Sequence, residues 1–253
     1  MLRYLARMIR KKGLTDPVRL IRLLAYLPRF VREYVQFRRA GNELIRAIFP
    51  VAYRFNSGVN FEYWHQDIFV ASRIIQSHKG DAERLHLDIG SRVEGFLLAL
   101  CAGGVDPVFG DINIPNHLNV KTAEVDLQTL IPKSLFQYDS VSCLHVIEHI
   151  GLGKYGDKIE FEGHLRSIER LKEACRPGCD VFISFPIARK HGVYFNSGRK
   201  LNGVEMLQFI ENCGFEVVRM GLVSGRIGDF IDDCTIDDLR AETEGCVVFC
   251  LKA

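Results

Sequence analysis

Residues 84–96, RLHLDIGSRVEGF, decide the fold of this chain. RLHLDI reads as a short strand, the chain turns at Gly90, and EGFLLALCAG that follows has the character of a helix. The same alternation continues downstream. PVFGD is a second strand, AEVDLQ holds the end of a third, and YDSVSCLHV is a fourth. EGHLRSIERLKEACRPG is a helix closed by Pro and Gly, and CDVFISFP is nearly all apolar, as a strand in the middle of a parallel sheet must be. GVEMLQFIENCGF is a further helix ended by Gly214, and FEVVRM and GCVVFCLK are the last two strands. Strands alternating with helices predict an α/β, doubly wound, mostly parallel sheet with helices on both faces. Such sheets bind ligands beyond the carboxyl ends of their strands.

Those strand ends carry acids. Asp88 and Gly90 leave the first strand, followed by Ser91, and a turn of this kind offers backbone N–H groups and a carboxylate to a nucleotide-like ligand. Arg92 stands where a G-x-G-x-x-G turn needs its second glycine, which disfavours a dinucleotide such as NAD. The second strand ends in Asp111 and Ile112, where an acid accepts both hydroxyls of a ribose. Asp126, followed by Leu127, ends the third and suits an adenine amino group. A single loop aspartate is more often a cap or turn residue. Three at successive strand ends argue for a nucleoside.

CLHVIEHIGLGKYGD, residues 143–157, follows the fourth strand. Two readings compete for it: an active-site loop, or a polar turn in which Glu148 and His149 cap the next segment. On the first reading His149 is a general base, since imidazole titrates near neutral pH. Glu148 orients it or holds an acceptor hydroxyl, Tyr155 and Asp157 contact the acceptor, and His145 lines the cofactor pocket. A divalent cation on Glu148, His149 and Asp157 is a further alternative, although no metal is assigned.

The ordered acids and glycines resemble the class I S-adenosylmethionine-dependent methyltransferases over roughly residues 60 to 252. The resemblance implies a Rossmann-like sheet of seven strands with the last antiparallel, and S-adenosyl-L-methionine as cofactor. DIGSRVEG departs from that family's glycine-rich turn, keeping its first glycine and a displaced later one. HLDIGSRVEGF, HVIEHIGLGKYGD, FNSGR and GCVVFCLK are similar, more narrowly, to the family of domain of unknown function 268, whose bacterial members tend to be encoded among surface-polysaccharide genes. That likeness implies a glycan or sugar-nucleotide acceptor and O-methylation of a sugar hydroxyl in O-antigen or capsule synthesis. The rival is a degenerate methyltransferase fold acting as scaffold in a glycan-assembly complex.

Two other segments are candidates for the acceptor side. FNSGVNFEYWHQD, residues 55–67, lies before the first strand and offers Tyr63 and His65; alternatively Trp64 anchors the core and the rest begins a helix. ARKHGVYFNSGRKLNG, residues 188–203, offers Asn196 and Arg199 to a phosphate or carboxylate, or is a solvated basic loop.

Residues 1–50 read as a basic amphipathic helical extension to a domain spanning 51–253. Over 16–39 the apolar positions Leu20, Leu23, Leu24, Leu27, Val31, Tyr34 and Val35 recur three and four apart, with Asp16 as N-cap and Pro28 as a kink or a break. The first forty residues hold eleven Lys or Arg against Asp16 and Glu33, a net +9 against −7 for the rest. This extension either packs on the domain or meets an anionic membrane surface. Nucleic acid is disfavoured, because the acidic remainder would repel it. With no apolar run near the roughly 20 residues that cross a bilayer, and no secretory core in MLRYLARMIRKKG, the expectation is a cytoplasmic protein, peripheral at the inner membrane. The eight cysteines lack zinc spacing and read as reduced thiols. A composition of 47% apolar and 25% charged residues in 253 is that of a globular chain, not a disordered one. The oligomeric state has no sequence signature.

Overall fold

A computed structural model describes residues 17–41, 45–47, 61–81, 83–116, 118–129, 137–195, 197–225 and 229–253. Asp16 and Asn196, singled out above, lie outside the described residues, as does the segment 55–60.

In chain order the helices are α1 (Pro17–Ala40), α2 (Phe61–His78), a π-turn Val93–Leu97 running into α3 (Leu98–Ala102), α4 (Gly163–Ala174), α5 (Gly203–Asn212) and α6 (Ile236–Ala241). The strands are β1 (Ile45–Ala47), β2 (His86–Ile89), β3 (Pro107–Asp111), β4 (Lys121–Glu124), β5 (Ser140–Leu144), β6 (Asp180–Ala188), β7 (Gly192–Phe195), β8 (Gly198–Lys200), β9 (Glu216–Ser224), β10 (Phe230–Asp232) and β11 (Glu244–Lys252). The main sheet has the order β10-β9-β11-β6-β5-β2-β3-β4. From β4 to β6 neighbours run parallel, and β11 inserts antiparallel between β6 and β9. The doubly wound sheet with an antiparallel last strand is therefore as expected, but with eight strands in place of seven. The additional one, β10, pairs antiparallel with β9, and its Phe230 packs edge-on to Phe69 at 4.9 Å. β1, β7 and β8 form a separate small sheet.

Both faces of the sheet are covered, so the middle strands read as apolar runs instead of alternating. Along β6, Phe182 faces α2 and α3 while Ile183 faces α4 and α5; along β11, Val248 and Val247 divide the same way. Phe69, Val70 and Ile74 of α2 fill one side, and Ile168, Leu171, Met206 and Ile210 of α4 and α5 fill the other. Asn202 caps α5 by accepting from the Val204 and Glu205 N–H groups, and Thr235 and Asp238 form a capping box on α6.

Of the kink or break expected at Pro28, the break is absent: α1 continues through it. A proline removes one helical hydrogen bond, but here Phe30, Tyr34 and Phe37 just beyond it pack on Phe195, and this tertiary contact holds the helix.

Under the β2 turn runs a buried polar chain. Ser142 Oγ donates to Asp88 Oδ1 at 2.6 Å and lies 3.1 Å from His86 Nε2, while His86 Nδ1 lies 2.8 Å from Ser140 Oγ. Burial lowers the His86 pKa to about 3, so the ring is neutral, donates to Ser142 through Nε2 and accepts from Ser140. Asp88 is fully buried and Ser91 is 5% exposed, its hydroxyl accepting from the Leu144 N–H. Both were expected to touch a cofactor. They instead tie β2 to β5 behind the turn.

Burial raises the Asp88 pKa to about 7, against the pull of hydrogen bonds from Ser142 and Ser91. A carboxyl whose pKa is raised on folding stabilises the native state in its protonated form, and that contribution is lost as pH rises through the folded value. Asp88→Asn keeps the acceptor for Ser142 and cannot ionise. Its melting temperature is expected to gain on the wild type as pH is raised from about 4 to about 7 and to change little above about 8; a difference independent of pH would refute the buried, elevated carboxyl.

Candidate functional site

The cleft opens where β2, β3 and β4 end. Gly90 turns the chain with φ +66°, a left-handed backbone that favours glycine, and its N–H donates to Gly110 O at 2.8 Å. A side chain here would meet Val146 at 3.1 Å and approach Asp111 Oδ2 at 3.7 Å. Asp111, at the end of β3, accepts from the Asn113 N–H at 2.7 Å through Oδ1. Partial burial raises its pKa against the hydrogen bonds from the Asn113 and Ile112 backbone. Asp126, two residues past β4, accepts from the Gln128 N–H at 2.8 Å. With Ile112 and Leu127, these residues line a cleft of about 320 Å³ whose other wall is His145, Val146, His149, Ile150, Tyr155 and Asp157.

The opposite wall is built on His145. This residue ends β5 in left-handed backbone, φ +55°, a strained conformation for a residue with a β-carbon. Three contacts hold it there. Its N–H donates to Ser184 O at 3.0 Å, its Nδ1 lies 2.9 Å from Glu148 Oε1, and its Nε2 lies 3.3 Å from Cys246 Sγ. The Tyr63 ring packs against it at 4.5 Å, with the Arg92 guanidinium over the tyrosine's ring at 4.7 Å. Burial opposes protonation of His145, yet Cys246 and Glu148 lift its pKa well above the ordinary value, so it carries charge. For Glu148, burial pushes upward and the His149 and His145 rings outweigh it, leaving the carboxyl below its usual range. The two form a buried ion pair. Glu148, 2% exposed, therefore faces His145 rather than an acceptor hydroxyl; of its two expected roles, orienting His149 is the one compatible with its place.

His149 reaches the cleft. Its ring meets Tyr155 edge-on at 5.6 Å, and its Nε2 stands 3.8 Å from Glu148 Oε1. Gly198 of β8 passes so close that a β-carbon would lie 3.0 Å from the ring. Burial lowers the His149 pKa to about 4, only partly opposed by the Glu148 carboxylate, so the imidazole is neutral at physiological pH. Asp157 also lines the cleft, but its carboxylate accepts from the N–H groups of Gly151 at 2.8 Å, Gly153 at 3.1 Å and Tyr155 at 3.1 Å. It shapes the loop, whose glycines 151, 153 and 156 all have positive φ. Its carboxylate, expected to contact the acceptor, is thus engaged by its own loop, which explains the glycines. Tyr155, 52% exposed, is left at the rim.

Other expected acceptor residues lie elsewhere. Arg199 is 1% exposed and donates to Ile150 O at 2.6 Å and Phe161 O at 2.9 Å, which makes it a brace for main-chain carbonyls and not a clamp for an anion. His65 stacks on Phe230 at 5.7 Å, away from the cleft lining. Tyr63 reaches the site only through His145, and Trp64, 56% exposed, is no core anchor. Glu148, His149 and Asp157 do not converge as metal ligands, and no group of three or more such side chains is poised for a metal among the described residues. Sequence reading passed over Asn113 and Gln128. Asn113 Nδ2 donates to Tyr155 O at 2.8 Å and Gln128 Nε2 to Lys158 O at 2.9 Å, and together they pin the glycine loop across the cleft. The amides' positions, each two residues past Asp111 or Asp126, were the available signal.

The fold recurs in solved structures. A Burkholderia thailandensis 1,6-didemethyltoxoflavin-N1-methyltransferase with bound 1,6-didemethyltoxoflavin and S-adenosylhomocysteine is 14% identical, with a TM-score of 0.51 over 76% of this chain and 81% of that one. The cyclase SpnF is 13% identical, with a TM-score of 0.50 over 73% and 79%. Their different chemistries illustrate that this fold does not by itself fix a reaction. No curated protein matches the chain. The bacterial setting implied by the sequence blocks has no counterpart in the description of the matching family, which names Caenorhabditis. That family model, described as Caenorhabditis protein of unknown function, DUF268, matches residues 114–240, half of the chain, and the chain belongs to that family.

Proposed function

We propose that the protein is an S-adenosylmethionine-dependent O-methyltransferase whose acceptor is a sugar hydroxyl in glycan assembly. The observation that carries this reading is the convergence of Gly90, Asp111 and Asp126, from three successive strand ends, on one cleft that also receives His149. The residues fit the cofactor. A side chain at Gly90 would crowd the floor of the cleft, Asp111 keeps a second carboxylate oxygen for ribose hydroxyls, and Asp126 with Leu127 borders the adenine end. When bound, the cofactor supplies a methyl group on a positively charged sulfur, which departs as a neutral thioether.

The chain's own part is alignment and proton removal. His149, neutral and part-exposed, takes the acceptor's hydroxyl proton as the new carbon–oxygen bond forms. The His145–Glu148 pair fixes the peptide from which His149 projects. The sugar is favoured by the flat, half-exposed ring of Tyr155 beside His149, a surface suited to the C–H face of a pyranose.

Calorimetric titration with S-adenosylhomocysteine tests the reading. Saturable binding is expected, and Asp111→Ala should weaken it by about 1.5 to 3 kcal/mol through lost charge-assisted hydrogen bonds. No heat at high micromolar concentration would instead support a degenerate scaffold. His149→Ala is expected to lower kcat on the order of 100-fold or more, with the S-adenosylhomocysteine Kd unchanged; full turnover would remove His149 from the reaction. Because the base is the neutral ring and its pKa is about 4, turnover should stay level as pH falls to about 5 and drop only below it. Loss centred near the ordinary histidine value of about 6.5 would contradict that environment.

A further inference from the structure

Helix α1 has two differently equipped sides. Inward, Phe30, Tyr34 and Phe37 close around Phe195 at 5.6 to 5.7 Å, and Phe37 also meets Phe161 at 5.5 Å. Leu152 of the glycine loop is buried in the same cluster, and the Arg29 guanidinium donates to Gly153 O at 3.0 Å. The helix thus grips the loop that carries His149 and Tyr155. Outward, Val31 is 51% exposed and Val35 40% exposed one turn later, with exposed Arg32, Arg38 and Arg39 beside them.

We propose that this outward face docks the protein on an anionic membrane surface and holds the cleft loop there. Isolated valines between guanidinium groups match the boundary between headgroups and acyl chains, where side chains of both kinds gain at once. Single-stranded RNA fits less well, since the aromatic rings of residues 27–40 that would stack on bases all turn inward. A symmetric contact with a second copy would bring the same three arginines against one another. Docking itself does not depend on the methyltransferase reading. Its consequence does, because an acceptor delivered to a membrane-held cleft is itself membrane-borne, as a lipid-linked glycan would be.

The test is flotation of the full chain with vesicles of phosphatidylcholine alone or with added phosphatidylglycerol. Binding is expected only to the anionic vesicles. Replacing Arg32, Arg38 and Arg39 with Gln should weaken it on the order of 100-fold, about fivefold per charge, and Val31→Asp with Val35→Asp should weaken it at least about tenfold. Circular dichroism matching the wild type shows that the variants fold. The proposal is overturned if the wild type ignores anionic vesicles, if both variants float like the wild type, if single-stranded RNA binds more tightly than vesicles, or if the valine variant splits a dimer without changing flotation. Vesicle binding needs no cofactor, so its outcome is independent of the titration with S-adenosylhomocysteine.

Discussion

The ion pair between His145 and Glu148 bears on every other feature of the cleft, because it keeps β5 from ending as an ordinary strand. Left-handed backbone at a histidine costs about 1 to 2 kcal/mol, and a buried carboxylate costs more unless it is paired. Each cost is offset by the other partner: Glu148 is acceptable in the interior because His145 is charged, and His145 stays in its strained turn because Glu148, Cys246 and Ser184 hold it from three sides. With the chain deflected there, the next residues turn back across the sheet end. His149 then arrives opposite Asp111 and Asp126.

What the sequence made legible is local. The β-α alternation and the acids at strand ends depend on spacing within a few residues, and Asp111, Asp126 and Gly90 stand where that spacing put them. Roles that depend on distant partners were illegible. Arg199 sits in a segment that reads either as an anion clamp or as a solvated basic loop, yet the carbonyls it satisfies are 49 and 38 residues away along the chain. Cys246 is 101 residues from His145, and nothing in GCVVFCLK marks one strand cysteine as its partner. Asp157 illustrates a different limit: an aspartate among glycines is equally a ligand or a knot for its own loop, and only the three N–H groups pointing at it decide for the knot. Asp88 belongs to the expected turn, but its side chain lies buried behind it, against Ser142 of β5.

The extension and the domain also prove less separable than the change in charge suggests. α1 contributes Phe37 to a buried cluster with Leu152 and Phe195, and β1 pairs parallel with β7. A segment marked in the sequence by its arginines is therefore built onto the loop that closes the cleft. The acidic domain and basic helix thus form one packed unit.

The proposed function requires the strand-end acids to hold an adenosyl group with His149 beside its sulfur. A crystal structure of the protein grown with saturating S-adenosylhomocysteine tests it most directly. The account predicts ribose hydroxyls in hydrogen-bonding contact with Asp111, adenine beside Asp126 and Leu127, and the sulfur on the His149 side of the cleft. A ligand seated elsewhere, or a cleft without density for it under those conditions, would contradict the account.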